Sequence, residues 1–148
     1  MRIEPASPAH RDAWLGLRIA LWPDEPAAVM AEEIDHMLAA HHPGRSAWLA
    51  VDDGRAVGFA EASLRRDYVN GCETSPVAFL EGIYVTPDAR LRGVGRSLDA
   101  AVRVWAIGQG CAEYASDALL DNRVSHAFHA ALGFAETERV VYFRRVLR

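Results

Sequence analysis

The chain has little cysteine, no long apolar run and no excess of basic residues. Its 148 residues include two cysteines, too few for a disulfide framework in a chain of this length, which indicates a reducing environment. The start of the chain contains no apolar stretch of the signal-peptide kind, and no run approaches the ~20 apolar residues that span a bilayer. The net charge of −4 argues against a nucleic-acid partner and is compatible with a cationic small molecule. We therefore expect a soluble, cytoplasmic protein without a membrane or nucleic-acid partner.

The remaining composition is that of one globular domain. Hydrophobic residues make up 51% of the chain and charged residues 24%, and both fractions are ordinary for a folded domain. A chain of 148 residues is long enough to bury a core without disulfides or metal ions. The sequence contains no repeat, low-complexity stretch or linker. Residues 1–148 are therefore interpreted as a single domain with no metal site.

Capping signals, turns and apolar periodicity predict a mixed α/β fold. Ser7-Pro8 is typical of a helix start, and Asp53-Gly54 favours a hairpin turn between two strands. The later strand–helix–strand order favours parallel pairing, and the helices should cover the faces of the sheet. The predicted strands cover 2–5, 46–51, 56–64, 77–85, 112–116 and 138–146, and the predicted helices cover 8–21, 26–41, 93–106 and 122–132.

The segment from Leu80 to Leu98 carries a signal for phosphate binding. A buried strand leads through a turn into a loop with Gly93 and Gly95, and an amphipathic helix follows. Glycines let the backbone come close to a ligand, and the unpaired amides at a helix start attract an anion. Three arginines, at positions 90, 92 and 96, surround the same point with guanidinium groups suited to phosphate.

The two glycines alone are a weak signal. The segment has no Gly-Lys-Ser/Thr, so it is not a nucleotide P-loop, and it lacks the full dinucleotide fingerprint. Both glycines would also be expected if they only permitted a tight connection between strand and helix.

The wider pattern is more specific. Arg90-x-x-Gly93-x-Gly95, between a strand and a helix, resembles the Gln/Arg-x-x-Gly-x-Gly/Ala motif of the GNAT acetyltransferases. The antiparallel strands before it and the strand–helix–Gly133-Phe134 unit after it also follow the order of that family, so the resemblance covers essentially the whole chain. It implies a mostly antiparallel central sheet, splayed between the fourth and fifth strands, with helices on both faces and acetyl-CoA in the opening.

The same resemblance implies which residues hold acetyl-CoA. The backbone of β-strand residues Ile83, Tyr84 and Val85 would pair with the pantetheine arm. An asparagine at the position of Asn122 contacts the cofactor in many members of the family. The pyrophosphate would be held by Arg90, Arg92, Gly93, Val94, Gly95, Arg96 and Ser97.

One position departs from the family pattern. Many GNAT enzymes have a tyrosine four residues before the Gly-Phe pair, where it protonates the leaving thiolate. This chain has His129 at that position. His129 is thus a candidate general acid, or alternatively a residue of the helix face with no chemical role.

Further short segments resemble bacterial aminoglycoside 6′-N-acetyltransferases. They include Leu21-Trp22-Pro23, Asp67–Cys72, Ala115-Ser116-Asp117 and Glu136–Val140. An aminoglycoside is a polycation, so its site should carry carboxylates and aromatic rings. The resemblance assigns Trp22, Tyr68, Glu73, Glu81, Asp117 and Glu138 to the substrate side. Alternatives remain for three of them: a core position for Trp22, a solvated loop for Glu73 and a helix-capping role for Asp117.

Glu81 is the candidate general base. It interrupts the apolar strand Phe79-Leu80-Glu81-Gly82-Ile83, where a carboxylate is costly unless it faces a wet site or a partner. Gly82 makes a bulge plausible at this point. The alternative is a glutamate on a solvated face or paired with an arginine. As base, Glu81 would take the ammonium proton through a water before direct attack on the thioester, with the oxyanion held by an amide near Val85.

Other functions remain open at this point. A thiol route through Cys72 or Cys111 is rejected, because neither has a base placed beside it in the sequence. The acceptor could instead be a polyamine, an amino sugar or a protein amine, or the chain could bind acyl-CoA without turnover. The β-prone segment Val140–Val146 is of a kind that can pair across a two-fold axis. The resemblance to aminoglycoside acetyltransferases, which are often dimers, implies a homodimer, and the alternative is an ordinary edge strand.

Overall fold

A twisted sheet forms the centre of the fold. The computed structural model describes residues 1–40 and 42–148, and within them the sheet has five strands in the order β1-β2-β3-β4-β5. Adjacent strands are antiparallel, except that β4 and β5 are parallel. The strands are β1 (Arg2–Pro5), β2 (Arg45–Asp52), β3 (Arg55–Arg65), β4 (Val77–Val85) and β5 (Glu113–Ser116).

Helices cover both faces of the sheet, as the sequence predicts. They are α1 (Arg11–Leu21), α2 (Ala27–Ala40), α3 (Val94–Gly108) and α4 (Arg123–Ala131), with short 3-10 turns at Pro8–His10 and Pro87–Ala89. Among the described residues, no helix is both long and apolar enough to cross a membrane. His41, the predicted end of the second helix, lies outside the described residues.

Strand alternation divides the core into two layers. Along β2, Trp48 and Ala50 pack with the α3 side, where Leu98 and Val102 are fully buried. Leu49 points to the other face and packs with Trp14, Leu17 and Ile34 of α1 and α2. Successive side chains of a strand point to opposite faces, so one strand contributes to both layers. The sheet is therefore a rigid platform held between two helical layers.

The sheet opens between β4 and β5. The two strands pair only from Val77 opposite Glu113 to Leu80 opposite Ser116. β5 ends at Ser116, whereas β4 continues to Val85 with only β3 beside it. The second half of β4 thus faces an opening, which confirms the splay expected between the fourth and fifth strands.

The predicted last strand is wrong. Residues 135–148 contain no helix or strand, and they are exposed. The segment has the β-branched and aromatic residues of a strand, but a strand also needs a partner edge for its backbone hydrogen bonds. Within the described residues, this segment pairs with none of the five strands.

Candidate active site

An acidic cavity lies between α1, α2 and the middle of strands β3 and β4. Its volume is about 140 Å³. Trp22 contributes its aromatic wall, and Arg18 and Arg45 also reach it. Its carboxylates are Glu25, Glu33, Glu61 and Glu81. With more carboxylates than guanidinium groups, the cavity suits a cationic ligand.

Glu81 occupies a β-bulge at the base of this cavity. Opposite β4, Glu61 pairs with Gly82 and Ala62 pairs with Leu80, so Glu81 is the extra residue. A bulge re-aims the side chain of the inserted residue. The mid-strand carboxylate thus lines the cavity, and Gly82 adjoins a bulge.

The Glu81 carboxylate has two hydrogen-bond donors. Ser63 donates its hydroxyl to Oε1 at 2.5 Å. Arg65 donates to Oε1 at 3.0 Å and to Oε2 at 3.1 Å, while its guanidinium lies 3.6 Å from the centroid of the Phe79 ring. The structure thus combines both interpretations of Glu81, because the carboxylate lines a cavity and also pairs with an arginine.

Trp22 is fixed from three sides. Its ring makes an edge contact with Phe59 at a centroid distance of 6.0 Å, and the guanidinium of Arg18 lies 5.2 Å from its centroid. The third side is Gly82, where an added Cβ would come within 2.6 Å of the indole. Trp22 therefore packs on the core and lines the cavity at once, and the glycine next to Glu81 makes room for it.

Sequence reasoning missed the buried ion pair behind the cavity. Arg18 and Glu61 are 4% and 3% exposed, and Nε of Arg18 donates to Oε1 of Glu61 at 2.6 Å. Burial alone would lower the pKa of Arg18, but the hydrogen bonds to Glu61 and Glu33 outweigh it and raise the pKa, so the guanidinium stays charged. A signal was present: Trp14, Leu17, Arg18 and Leu21 follow helical spacing on one apolar face, and Glu61 interrupts a strand as Glu81 does.

The other candidate substrate residues are exposed and are not part of the cavity lining. Tyr68 is 76% exposed, and Glu73 lies in the same loop. An added Cβ on Gly71 of that loop would lie 2.2 Å from the Thr137 hydroxyl oxygen, so the loop runs beside the segment that carries Glu138. Asp117 directly follows the last residue of β5, at the edge of the opening.

Glu113 anchors the loop that carries Tyr68. Its Oε1 accepts hydrogen bonds from the amide of Glu73 at 2.9 Å and from the amide and hydroxyl of Thr74. These bonds, the Thr74 hydroxyl first, lower the pKa of Glu113. Since Glu113 belongs to β5, the loop is fastened to the strand that borders the opening.

The helix start beside the opening has the features of an anion site. Gly93 is the N-cap of α3 with φ of 79°, a left-handed conformation that favours glycine. No side chain caps this helix, and its first amide hydrogen bond runs from Ser97 to Gly93 at 3.0 Å. Within residues 1–40 and 42–148, the amides of Val94, Gly95 and Arg96 therefore have no acceptor. The exposed side chains of Arg92 and Arg96 adjoin them.

Gly95 and Arg90 have structural roles that the motif did not reveal. An added Cβ at Gly95 would lie 2.9 Å from the Phe128 ring, so this glycine permits α4 to approach α3. Arg90 donates Nε to the carbonyl of Val85 at 2.9 Å. Close packing against Phe128 therefore explains the glycine at position 95, whereas the left-handed backbone of Gly93 shapes the loop.

The backbone edge of β4 beyond Leu80 faces the opening. Thr86 donates its amide to the carbonyl of Val57, on the β3 side, at 2.8 Å. Consecutive amides of an extended strand point to opposite edges, so the amides of Val85 and Ile83 point into the opening. This edge is available to an extended ligand, with Tyr84 beside it.

His129 lies at the closed end of the opening. Its Nε2 is 2.8 Å from the hydroxyl of Ser116, and its Nδ1 is 2.7 Å from the carbonyl of Ser125. The Ser116 hydroxyl is also 3.2 Å from the carbonyl of Leu80, where β4 and β5 part. Asn122 caps α4, since its Oδ1 accepts from the amide of Ser125 at 3.1 Å.

The two cysteines lack the surroundings of a nucleophile. Both are free and half-buried. Burial raises the pKa of the Cys72 thiol, and the neighbouring Glu113 raises it further. Burial also raises the pKa of Cys111. A raised pKa leaves less thiolate at neutral pH, so neither thiol is activated for an acyl-enzyme route.

Comparison with known proteins places this geometry among acetyltransferases. Residues 9–134 match the sequence profile of the Acetyltransferase (GNAT) family. The chain is 48% identical over 145 residues to aminoglycoside N(6')-acetyltransferase type 1 of Salmonella typhimurium, covering 98% of this chain and 99% of that protein. It is 51% identical over 147 residues to the protein of the same name from Acinetobacter genomosp. 13, covering 98% of each.

Solved structures agree with the sequence matches. The apo crystal structure of the aminoglycoside 6'-N-acetyltransferase AAC(6')-IG from Acinetobacter haemolyticus has a TM-score of 0.94 at 48% identity, covering all of both chains. The structure of AAC(6')-Iy with the bisubstrate analogue CoA-S-monomethyl-acetylneamine has a TM-score of 0.92 at 45% identity, covering 98% of this chain and 97% of that one.

Proposed function

The chain belongs to the GNAT acetyltransferase family, and we propose that it transfers the acetyl group of acetyl-CoA to the 6′-amino group of aminoglycosides. The observation that carries the proposal is the acidic cavity with Trp22 and Glu81, because Glu81 directly follows Leu80, the last residue of β4 that pairs with β5. The relatives named for this activity are about half identical to the chain over nearly its full length. Resistance to aminoglycosides is the biological consequence.

Acetyl-CoA is the co-substrate, and the opening offers contacts for its pyrophosphate and for its pantetheine arm. The free amides at the start of α3, with Arg92 and Arg96, suit a pyrophosphate. The inward-facing backbone of Ile83 and Val85 suits the amides of the pantetheine arm. The resulting path ends beside Glu81, so the thioester would lie next to the acidic cavity.

The acceptor binds through charge and ring packing. Its ammonium groups meet the carboxylates of the cavity, and Trp22 packs against a sugar ring. Tyr68, Glu73, Asp117 and Glu138 complete the binding surface from the exposed loops. The packing of Gly71 against Thr137 supports this assignment, because it holds two of these segments together.

Glu81 acts as the general base. It is half-buried on a bulge, so the carboxylate reaches the cavity while its backbone stays in the sheet. An acceptor ammonium competes with Arg65 for the carboxylate and then loses its proton to Glu81 through a water. The neutral amine attacks the thioester carbonyl, and the Val85 amide stabilises the oxyanion.

His129 protonates the leaving thiolate. Its ring is held by the Ser125 carbonyl, and its Nε2 reaches Ser116 at the point where the strands part.

We place the reaction in the cytoplasm, where acetyl-CoA is made, and both thiols of the chain are free.

The terminal segment supports a homodimer. Tyr142 and Phe143 are 82% and 90% exposed, and the apolar side chains around them are exposed as well. Exposed aromatic and β-branched side chains in an unpaired segment favour pairing with a second chain. Sedimentation equilibrium should give a dimer for the full chain and a monomer for Phe143→Asp, and a monomeric full chain would contradict the assignment.

The test of the reaction is thiol release from acetyl-CoA with neomycin and with paromomycin. These two compounds differ at the 6′ position, which carries an amine in neomycin and a hydroxyl in paromomycin. We expect fast release with neomycin and almost none with paromomycin. Equal release would refute 6′ regiochemistry, and no release with either would refute the aminoglycoside acceptor, in which case polyamines and peptides are assayed next.

The role of Glu81 is tested in the same assay. Glu81→Gln keeps the size of the side chain but cannot accept a proton, so kcat with neomycin should fall by about 10²–10⁴-fold. Glu25→Gln, on the exposed rim of the same cavity, is the matched control and should change kcat little. An unchanged kcat in Glu81→Gln would eliminate it as the base.

A further inference from the structure

A charged pair lies buried behind the wall of the acceptor cavity. Arg18 of α1 donates Nε to Oε1 of Glu61 at 2.6 Å and one terminal nitrogen to Oε2 at 2.8 Å. Trp14 donates its indole N–H to the same Oε1 at 2.7 Å. Buried ion pairs often stabilise a fold no better than apolar residues of the same volume. The reason for this pair therefore lies in what its remaining contacts hold in place.

Those remaining contacts lead to two walls of the cavity. The other terminal nitrogen of Arg18 donates to Oε2 of Glu33 at 2.6 Å, and the side chain of Glu33, on α2, is 44% exposed. The guanidinium carbon lies 5.2 Å from the ring centroid of Trp22. One guanidinium thus contacts an aromatic wall and an acidic wall of the same cavity.

We propose that Arg18 is a positioning residue of the acceptor site, which fixes the indole of Trp22 and the carboxylate of Glu33 where the cationic rings bind. This inference rests on the proposed function, since it assumes that the cavity takes an aminoglycoside. Glu61 and Glu33 carry two negative charges against the single positive charge of Arg18, so the three groups together have a net charge of −1 beside the cavity. A carboxylate held in one orientation binds an ammonium without paying the entropy of ordering its own side chain.

The planar fork of arginine is required for this arrangement. Arg18 uses Nε and both terminal nitrogens in different directions, two toward Glu61 and one toward Glu33. A lysine ammonium is a single point and cannot span both carboxylates while it also covers the Trp22 ring. Arg18→Lys is therefore expected to keep the buried charge and to lose the orientation.

The decisive variant removes both buried charges at once. Removing only one partner would leave an uncompensated buried charge and destabilise the fold. Arg18→Met with Glu61→Gln avoids this, and the glutamine oxygen still accepts from Trp14. The matched control is Arg11→Met with Asp35→Asn, because Arg11 also links α1 to α2, through Asp35 at 2.6 Å and 3.0 Å, on the exposed side.

We expect the acceptor KM to rise by about tenfold in the Arg18/Glu61 variant, while the KM of acetyl-CoA stays unchanged. Glu33→Gln, which leaves the buried pair intact, should raise the acceptor KM by about threefold, and Arg18→Lys should fall between these variants. The control pair should leave both KM values unchanged. This split between the two substrates distinguishes positioning from a general loss of structure.

Other results would overturn the inference. An unchanged acceptor KM in the Arg18/Glu61 variant refutes it, and so does a parallel rise in both KM values that follows a loss of Tm. If that variant does not fold, an unchanged acceptor KM in Glu33→Gln refutes it instead. Absence of turnover by the unmodified chain with any aminoglycoside would overturn the proposed function together with this inference, whereas turnover with unchanged KM values in the variants overturns the inference alone.

Discussion

Replacing Gly82 with alanine tests how tightly the proposed acceptor site is packed. A methyl group at this position would lie 2.6 Å from two ring carbons of Trp22 and 3.1 Å from Cδ2 of Leu21. Ordinary contact begins near 3.4 Å, so the indole must retreat by about 0.8 Å. Phe59 and Arg18 occupy the neighbouring sides of the ring, so it cannot move freely.

The expected cost of Gly82→Ala has two parts. Overpacking of this kind destabilises a protein by about 1–3 kcal/mol. For a domain of this size, that corresponds to a Tm lower by roughly 2–12 °C. Displacement of a substrate-positioning ring by nearly 1 Å should lower kcat/KM for the acceptor by about 10- to 100-fold. The KM of acetyl-CoA should not change, because Trp22 lines the cavity that we propose for the acceptor.

The assay compares Gly82→Ala with Gly16→Ala. Gly16 lies in α1, and an added Cβ there meets nothing within 4 Å. Alanine is the better helix former, so Gly16→Ala should stabilise the protein by about 0.5–1 kcal/mol and leave turnover unchanged. Thermal unfolding and steady-state kinetics with neomycin measure both effects. Wild-type kcat/KM in Gly82→Ala would refute the view that Trp22 must lie against β4.

Three further predictions concern other parts of the fold. Gly95→Ala should force the Phe128 ring away, lowering Tm and raising the KM of acetyl-CoA, and a normal KM would contradict this. Burial raises the pKa of Asp99, so the folded protein favours the protonated carboxyl. The stability that this preference contributes is complete below about pH 4 and is lost as the pH rises through the raised pKa, because the buried carboxyl then has to ionise. Asp99→Asn should therefore gain stability over the unmodified chain between about pH 4 and 7 in urea unfolding, whereas the exposed control Asp121→Asn should not. Glu113→Gln should weaken the anchor of the 66–76 loop. We expect faster proteolysis of that loop and, in steady-state kinetics, a higher acceptor KM.

Local signals were sufficient for most of the secondary structure. The hairpin turn at Asp53-Gly54, the apolar run of β4 and the glycine loop before α3 each depend on neighbours in the chain. Their periodicity and turn chemistry predict the elements to within a few residues. Glu81 was identified for the same reason, because a carboxylate within an apolar strand is anomalous by sequence alone. The structure places Glu81 on a bulge next to Gly82, where the bulge was expected, and its role as a base stays a prediction.

Contacts between distant residues were not predictable in this way. Arg18 and Glu61 are 43 positions apart, so nothing in the local sequence of either residue names the other as its partner. Gly95 illustrates a second kind of failure. The motif explained it by a ligand, whereas packing of Phe128, on a helix that follows later in the chain, also requires it.

The sequence by itself determined the class of fold, the glycine loop before α3 and the mid-strand carboxylate, because these depend on short-range patterns. Only the tertiary structure decided which residues line the acidic cavity, and that Arg18 and Glu61 are buried together behind it. It also decided that residues 138–146 do not join the sheet of their own chain. Strand propensity lies in the residues, but a strand forms only where another edge completes its hydrogen bonds.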